Sequence, residues 1–217
     1  MKSDRMDRRR KYRVWMGCMA VLTVLCFFLA LGLGAYRISP ETVFRTLFSI
    51  GAEDIRPNIR TTLFHVRLPR ILMAALLGGG LSLSGFLLQT FFGNPIAGPF
   101  VLGISSGAKM VVALTMIYFL KFFGRVSSWA LIVAAFAGSL LAVGFILLLS
   151  RRLKHMAILL VAGIMIGYIC SAVTDFVVTF AEDSDIVNLR GWSLGSFSGM
   201  SWDNVAVAAV VVGLTEA

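Results

Sequence analysis

The sequence has no Walker-type phosphate loop, so no ATPase is encoded within these 217 residues. It shows no His, Cys, Asp and Glu cluster at metal-ligand spacing and no arrangement resembling a catalytic triad. No metal or cofactor site is therefore expected. His65 and His155 stand alone and read as interfacial residues. The cysteines, Cys18, Cys26 and Cys170, lie in apolar runs with neither CxxC spacing nor a nearby His. They read as small buried hydrophobes and say nothing about redox compartment. Acids are scarce, with 11 Asp and Glu against 20 Lys and Arg, and the net charge is +9. A basic balance raises the possibility of nucleic-acid binding, but 58% of residues are hydrophobic and mean hydropathy is +0.87. Soluble domains are about 45–50% apolar, so this composition belongs to a membrane protein and excludes a nucleic-acid binder. The basic excess then reads as loops facing anionic lipid and as topology signals. No internal repeat, low-complexity tract or soluble domain is visible.

Taken in order, Met1 to Arg13 is polar and basic, and Val14 to Tyr36 is apolar over more than the ~20 residues that cross a bilayer. A cleavable signal would have a shorter apolar core, about 7–15 residues, followed by a small-residue cleavage site. No convincing site follows, so a retained first helix with a cytoplasmic amino terminus is expected. Ile38 to Arg60 is the external segment. Ser39-Pro40-Glu41 makes a good helix start, and Val43, Phe44, Leu47 and Phe48 share one face, predicting a short amphipathic helix at the outer interface. Gly51 to Asn58 is read as a loop.

Ile71 to Phe92 is the second span. The pairs Gly78/Ser82 and Gly80/Ser84 predict close helix packing there, so Gly80→Leu is expected to destabilise the bundle. Gly93-Asn94-Pro95 ends it. Phe100 to Phe123 contains a third span, interrupted by Lys109, and Gly124 to Ser127 is a turn. Trp129 to Leu149 is the fourth span, with Ala134, Gly138 and Ala142 on a small-residue face. Arg151, Arg152, Lys154 and His155 form a basic cluster that the span count places inside, as the positive-inside rule requires. Met156 to Phe180 is the fifth span, with Gly163, Gly167 and Ser171 in small-residue register. Glu182, Asp183 and Asp185 mark an outer loop, and Gly191 to Gly199 a short outer helix and turn. Asn204 to Leu214 begins a sixth span and the sequence stops about halfway through it. The expected fold is an all-α polytopic transmembrane bundle, with about five full spans and the start of a sixth, forming one domain over 1–217.

The stretch from Arg67 to Gly107 organises the rest. Arg67-Leu-Pro-Arg70 leads into a helix dense in Gly and Ser, then Leu88-Gln89, Asn94-Pro-Ile-Ala-Gly-Pro99 and Leu102-Gly-Ile-Ser-Ser-Gly-Ala108. A plain anchor does not need this much Gly, Pro and Ser, whereas a closely packed helix beside a sharply turned backbone does. This order resembles the FecCD-type permeases of ABC importers for iron–siderophores, haem and cobalamin. The resemblance implies an inner-membrane permease without covalent chemistry, working as a homodimer or paralogous heterodimer. A separate ATPase subunit and an extracytoplasmic substrate-binding protein would be its partners. It also implies that Arg67 and Arg70 lie at the outer face and pair with acids of the binding protein. Arg37, Arg45, Arg56 and Arg60 read instead as residues snorkelling to lipid phosphate. By the same resemblance, the segment holding Asn94, Pro95, Gly103, Ser105, Ser106 and Gly107, with Gln89 before it, lies near the translocation path and its gate. From the residues alone, capping and interhelical hydrogen bonding explain these polar groups equally well. Asp175 lies near the outer end of the fifth span and reads as interfacial.

The sequence departs from the resembled family in one respect. The family's cytoplasmic coupling helix, which seats in the ATPase, has no match in Met1 to Ala217. The chain therefore reads as a fragment or a truncated product, and no ATP-driven uptake is expected from it without the missing part. An ion-driven secondary transporter would show paired broken helices and midplane acids. A non-transporting membrane remnant would bind other subunits without uptake.

Overall fold

A computed structural model describes residues 2–34, 36–48, 57–119, 127–152 and 155–216. Among the described residues every regular element is helical. They are α1 (Lys2–Gly32), α2 (Pro40–Leu47), α3 (Pro57–Phe92), α4 (Ile104–Leu114), α5 (Ser128–Ser150), α6 (Met156–Val178), α7 (Asp183–Leu194) and α8 (Trp202–Glu216). Four are long and apolar enough to cross a membrane: Arg8–Gly32 within α1, then α3, α5 and α6. The apolar helices Ile104–Tyr118 and Trp202–Thr215 are shorter. The predicted loop over Gly51 to Asn58 and the turn over Gly124 to Ser127 fall mostly outside the described residues, as does Arg56. Within the first, Pro57 and Asn58 open α3, and within the second, Ser127 caps α5 through a 3.3 Å bond from the Trp129 N–H.

The chain forms two compact units, one of residues 1–77 with 197–217 and the other of 78–196. In the first, Ser39 caps α2 as expected: the Thr42 N–H donates to its Oγ at 3.2 Å, and Pro40 opens the helix. The shared face predicted for α2 divides. Val43 is buried with Leu31, Ile38 and Leu63, while Phe44 and Phe48 point outward with ring centroids 4.5 Å apart.

The second predicted span is longer than expected. α3 runs unbroken for 36 residues, so Arg67-Leu-Pro-Arg70 lies inside a helix instead of ahead of one. The sequence explains how the helix tolerates Pro69. Residues Thr62–Arg67 take a π turn, and the Leu68 N–H reaches back to Leu63 O. In that register the donor facing Phe64 O would be residue 69, and proline has none. The indole Nε1–H of Trp202 donates to Phe64 O instead, at 2.9 Å. The carbonyl left over by proline is thereby satisfied within the same unit.

In the second unit α4 packs against α5 and α6. Phe92, Ala97 and Leu102 join Ala142, Ile146, Leu159 and Leu160 in one apolar cluster. Val112, Ala113 and Met116 join Ala134 and Leu189 in another. The small-residue face predicted on α5 is present: Ala134, Gly138 and Ala142 are buried. The acids expected in a loop after α6 are not in one. Glu182 is the N-cap of α7, and Asp183 and Asp185 occupy its first turn, where acids complement the helix dipole. α7 then ends at Leu194, and Gly195 makes the turn. Asp175 is exposed in the last turn of α6.

Candidate functional site

The site is built where backbone leaves helical geometry at membrane depth. After α3 the chain turns without regular structure from Gly93 to Gly103. Asn94 holds the turn together. Its Oδ1 accepts from the Ile96 N–H and its carbonyl from the Ala97 N–H, both at 3.1 Å. Its own N–H donates to Gln89 O at 3.1 Å. Ala97, Leu102 and Gly103 are buried against protein, while Pro95, Ile96 and Phe100 are exposed.

Three contacts set the depth of this segment. α5 and α6 are 23 residues each, about 34 Å at ~1.5 Å per residue, and match a hydrocarbon core of ~30 Å. Their middle residues, Ser139 and Gly167, therefore mark the midplane. Gly103 packs on the middle of α6: a Cβ there would lie 2.7 Å from Gly167 N and 2.9 Å from Gly163 O. Gly107 packs on the middle of α5, where a Cβ would lie 2.7 Å from Gly138 O. Gly103 also has φ +73°, which disfavours any side chain. So α4 starts near the midplane, and the helix continues through a π turn over Thr115–Phe119. The third span expected over Phe100 to Phe123 is helical only from Ile104, and residues 120–126 lie outside the described set.

Beside this start lies a cavity of about 500 Å³. It is lined by Ser105, Ser106 and Lys109 of α4, Ser139 of α5, Ser171 of α6 and Ser193 of α7, with Trp192 alongside. The hydroxyls differ. Ser139 donates to Ala135 O at 2.9 Å and Ser193 to Leu189 O at 2.8 Å. Ser105, Ser106 and Ser171 make no hydrogen bond with the described residues. Lys109 has no ion pair among the described residues.

The expected path residues thus separate. Gly103 and Gly107 make the helix contacts, and Ser105 and Ser106 line the cavity. Asn94 organises the turn, while Gln89 and Pro95 are exposed outside the cavity. Gly163 and Gly167 pack against Leu102 and Gly103. The α3 set differs: Gly78, Ser82 and Ser84 are exposed, and a Cβ on Gly78 would meet nothing within 4 Å. Gly80 is half-buried. No described helix of this chain takes up the close approach expected at Gly78.

In the first unit Arg67 closes the π turn of α3. It is 9% exposed and turned inward. Its guanidinium donates to Leu31 O and Tyr36 O, at the carboxyl end of α1, where a cation suits the dipole. Gly34 makes room, since a Cβ there would lie 2.7 Å from an Arg67 terminal nitrogen. Arg70 is half-buried and donates to Ser198 O, while its buried Nε has no partner among the described residues. Arg45 pairs with Glu41 at 2.8 Å on the surface of α2.

Residues 22–216 match the FecCD transport family. The chain is a member of that family. A FecCD relative, the vitamin B12 import system permease protein BtuC of Escherichia coli O1:K1 / APEC, is 33% identical over 198 residues. The alignment covers 91% of this chain and 56% of the relative. The BtuC of Escherichia coli strain K12 / DH10B gives the same figures. A solved structure described as an inward-facing conformation of a metal-chelate type ABC transporter superposes with TM-score 0.72 at 27% identity. It covers 93% of this chain and 59% of that one. The chain therefore spans somewhat over half the length of the FecCD relatives it matches. Sequence reasoning noted Lys109 as an interruption but missed its place in the site. The signal was a lone cation five residues after the helix start at Ile104, whose depth is set by glycine contacts far away in sequence.

Proposed function

We propose that the chain forms part of the membrane permease of an ABC importer for a metal chelate or cobalamin. A separate ATPase subunit would supply the energy, and an extracytoplasmic binding protein the cargo. A second permease copy or paralogue would complete the path. The observation that carries this reading is a helix that starts at mid-bilayer beside a polar cavity, in a chain of this family. Such a break is stable only when protein or water covers it, so it is suited to line a route. α4 meets α5 and α6 through glycine backbone contacts and through packed apolar side chains. Iron–siderophore, haem and cobalamin all remain substrates of this reading. The protein would sit in the plasma membrane with its amino terminus and the Arg151 cluster in the cytoplasm. Docking of the binding protein would fall to Arg70, with buried Arg67 holding the surrounding backbone.

The test reconstitutes the chain with an ATPase subunit, a binding protein and a polypeptide supplying the remaining length of its relatives. Labelled ferric siderophore, haem and cobalamin are then offered. Uptake of one of them that needs ATP and stops with vanadate is expected. Uptake driven by an ion gradient and indifferent to vanadate would overturn the reading in favour of a secondary transporter. Co-purification without any uptake would leave only a membrane scaffold.

A further inference from the structure

We infer that the Lys109 cavity is a charge-selective site that favours metal chelates of net negative charge over neutral ones. The inference rests on the permease reading and narrows its substrate class. Lys109 lies two residues beyond Gly107, about 3 Å along the helix axis from the midplane contact. The nearer membrane face is then still roughly 12 Å away. A lysine side chain cannot snorkel across that remaining depth. A cation at the centre of a span costs about 2.5–3.5 kcal/mol on insertion scales, so it needs water or a partner. Among the described residues it has no carboxylate partner.

The cavity supplies the rest of an anion site. Its volume, about 500 Å³, lies in the ~300–1,000 Å³ range of small-molecule pockets. Ser105, Ser106 and Ser171 keep hydroxyl protons unused by the described residues and can donate them to a ligand oxygen. Ser139 and Ser193 spend theirs on backbone carbonyls and offer lone pairs only, which suit ligand donors or water. Trp192 gives a flat apolar wall for a chelate's aromatic arm. Lys109, Ser105, Ser171 and Ser193 are exposed at the cavity, so a ligand can reach the ammonium and the hydroxyls together. A neutral chelate gains the wall and the hydroxyls but not the charge.

The experiment measures equilibrium binding to the full chain in lipid nanodiscs. The probes are a ferric tris-catecholate trianion and a neutral ferric tris-hydroxamate of matched size. Wild type is expected to bind the trianion about tenfold more tightly. Lys109→Gln should bring the ratio near one, and Lys109→Arg should restore most of it. A wild-type ratio near one overturns the inference, as does a ratio unchanged in Lys109→Gln. The second result, with lowered thermal stability, would mean that the lysine pairs with a carboxylate of another segment. If Lys109→Gln fails to fold, Lys109→Arg and Ser106→Ala still report: loss of the preference in Lys109→Arg, or an unchanged trianion affinity in Ser106→Ala, counts against the site. Binding needs no ATPase, so this failure would leave ATP-driven transport standing, and vanadate-insensitive uptake would leave the charge preference standing.

Discussion

Two glycine-rich stretches look alike in sequence and behave differently in the fold. One is Gly78 to Ser84 on α3. The other is Gly103, which precedes α4, and Gly107 within it, with their partners Gly138, Gly163 and Gly167. Around Gly78 there is open space, whereas Gly107 and Gly138 touch backbone to backbone. Small residues at four-residue spacing permit close approach but do not create it. The difference lies in whether another helix of this chain arrives. For α4 two do, because the turn organised by Asn94 delivers its start to the middle of α5 and α6. For the Gly78 face no described residue does.

The contrast can be broken most directly at Gly107. Gly107→Leu must push against the Gly138 carbonyl, a backbone atom that cannot rotate away. A loss of about 3 kcal/mol or more is expected, the upper end for overpacking, read as little monodisperse protein and a collapsed melting transition in detergent. Folding close to wild type would show that the helices do not meet there.

A smaller effect is expected at Gly103. Gly103→Ala combines a positive φ with a Cβ 2.7 Å from Gly167 N, and about 2 kcal/mol should be lost. Gly103→Asn, which tolerates left-handed backbone better, sharpens the result by separating strain from contact. Equal loss in both would assign the cost to contact alone.

Gly34 tests a contact with a side chain instead of backbone. In Gly34→Ala the methyl meets the end of Arg67, which can swing aside by giving up its bonds to Leu31 O and Tyr36 O. About 1–2 kcal/mol is expected, in the range for charged hydrogen bonds. Gly34→Ala in an Arg67→Met background should cost much less. Additive losses in the double variant would refute the coupling.

The smallest effect belongs to Gly78. Gly78→Ala should be neutral or stabilising by up to ~1 kcal/mol, since alanine is the better helix former and nothing stands in its way. Destabilisation of the isolated chain matching that of Gly107→Leu would erase the distinction between the two stretches.

By itself the sequence determined the class of the molecule. Its hydropathy, the lengths of its apolar runs and the Arg67 to Gly107 motif order were enough for an all-α membrane protein of the FecCD family. Local signals were also legible. The Ser39 cap, the Gly93-Asn94-Pro95 break and the small-residue face of α5 depend on neighbours a few residues away, and backbone chemistry fixes them. Tertiary structure decided what depends on distant partners. It turned Arg67 into a cap for α1, because the carbonyls it satisfies lie more than thirty residues earlier. It made Asp183 and Asp185 a helix start, and it gave Phe64 O to Trp202 because Pro69 has no proton to offer. It also set α4 at mid-bilayer, since depth follows from Gly103 meeting Gly167 and Gly107 meeting Gly138. Close packing requires two surfaces, and a single stretch of sequence describes only one of them.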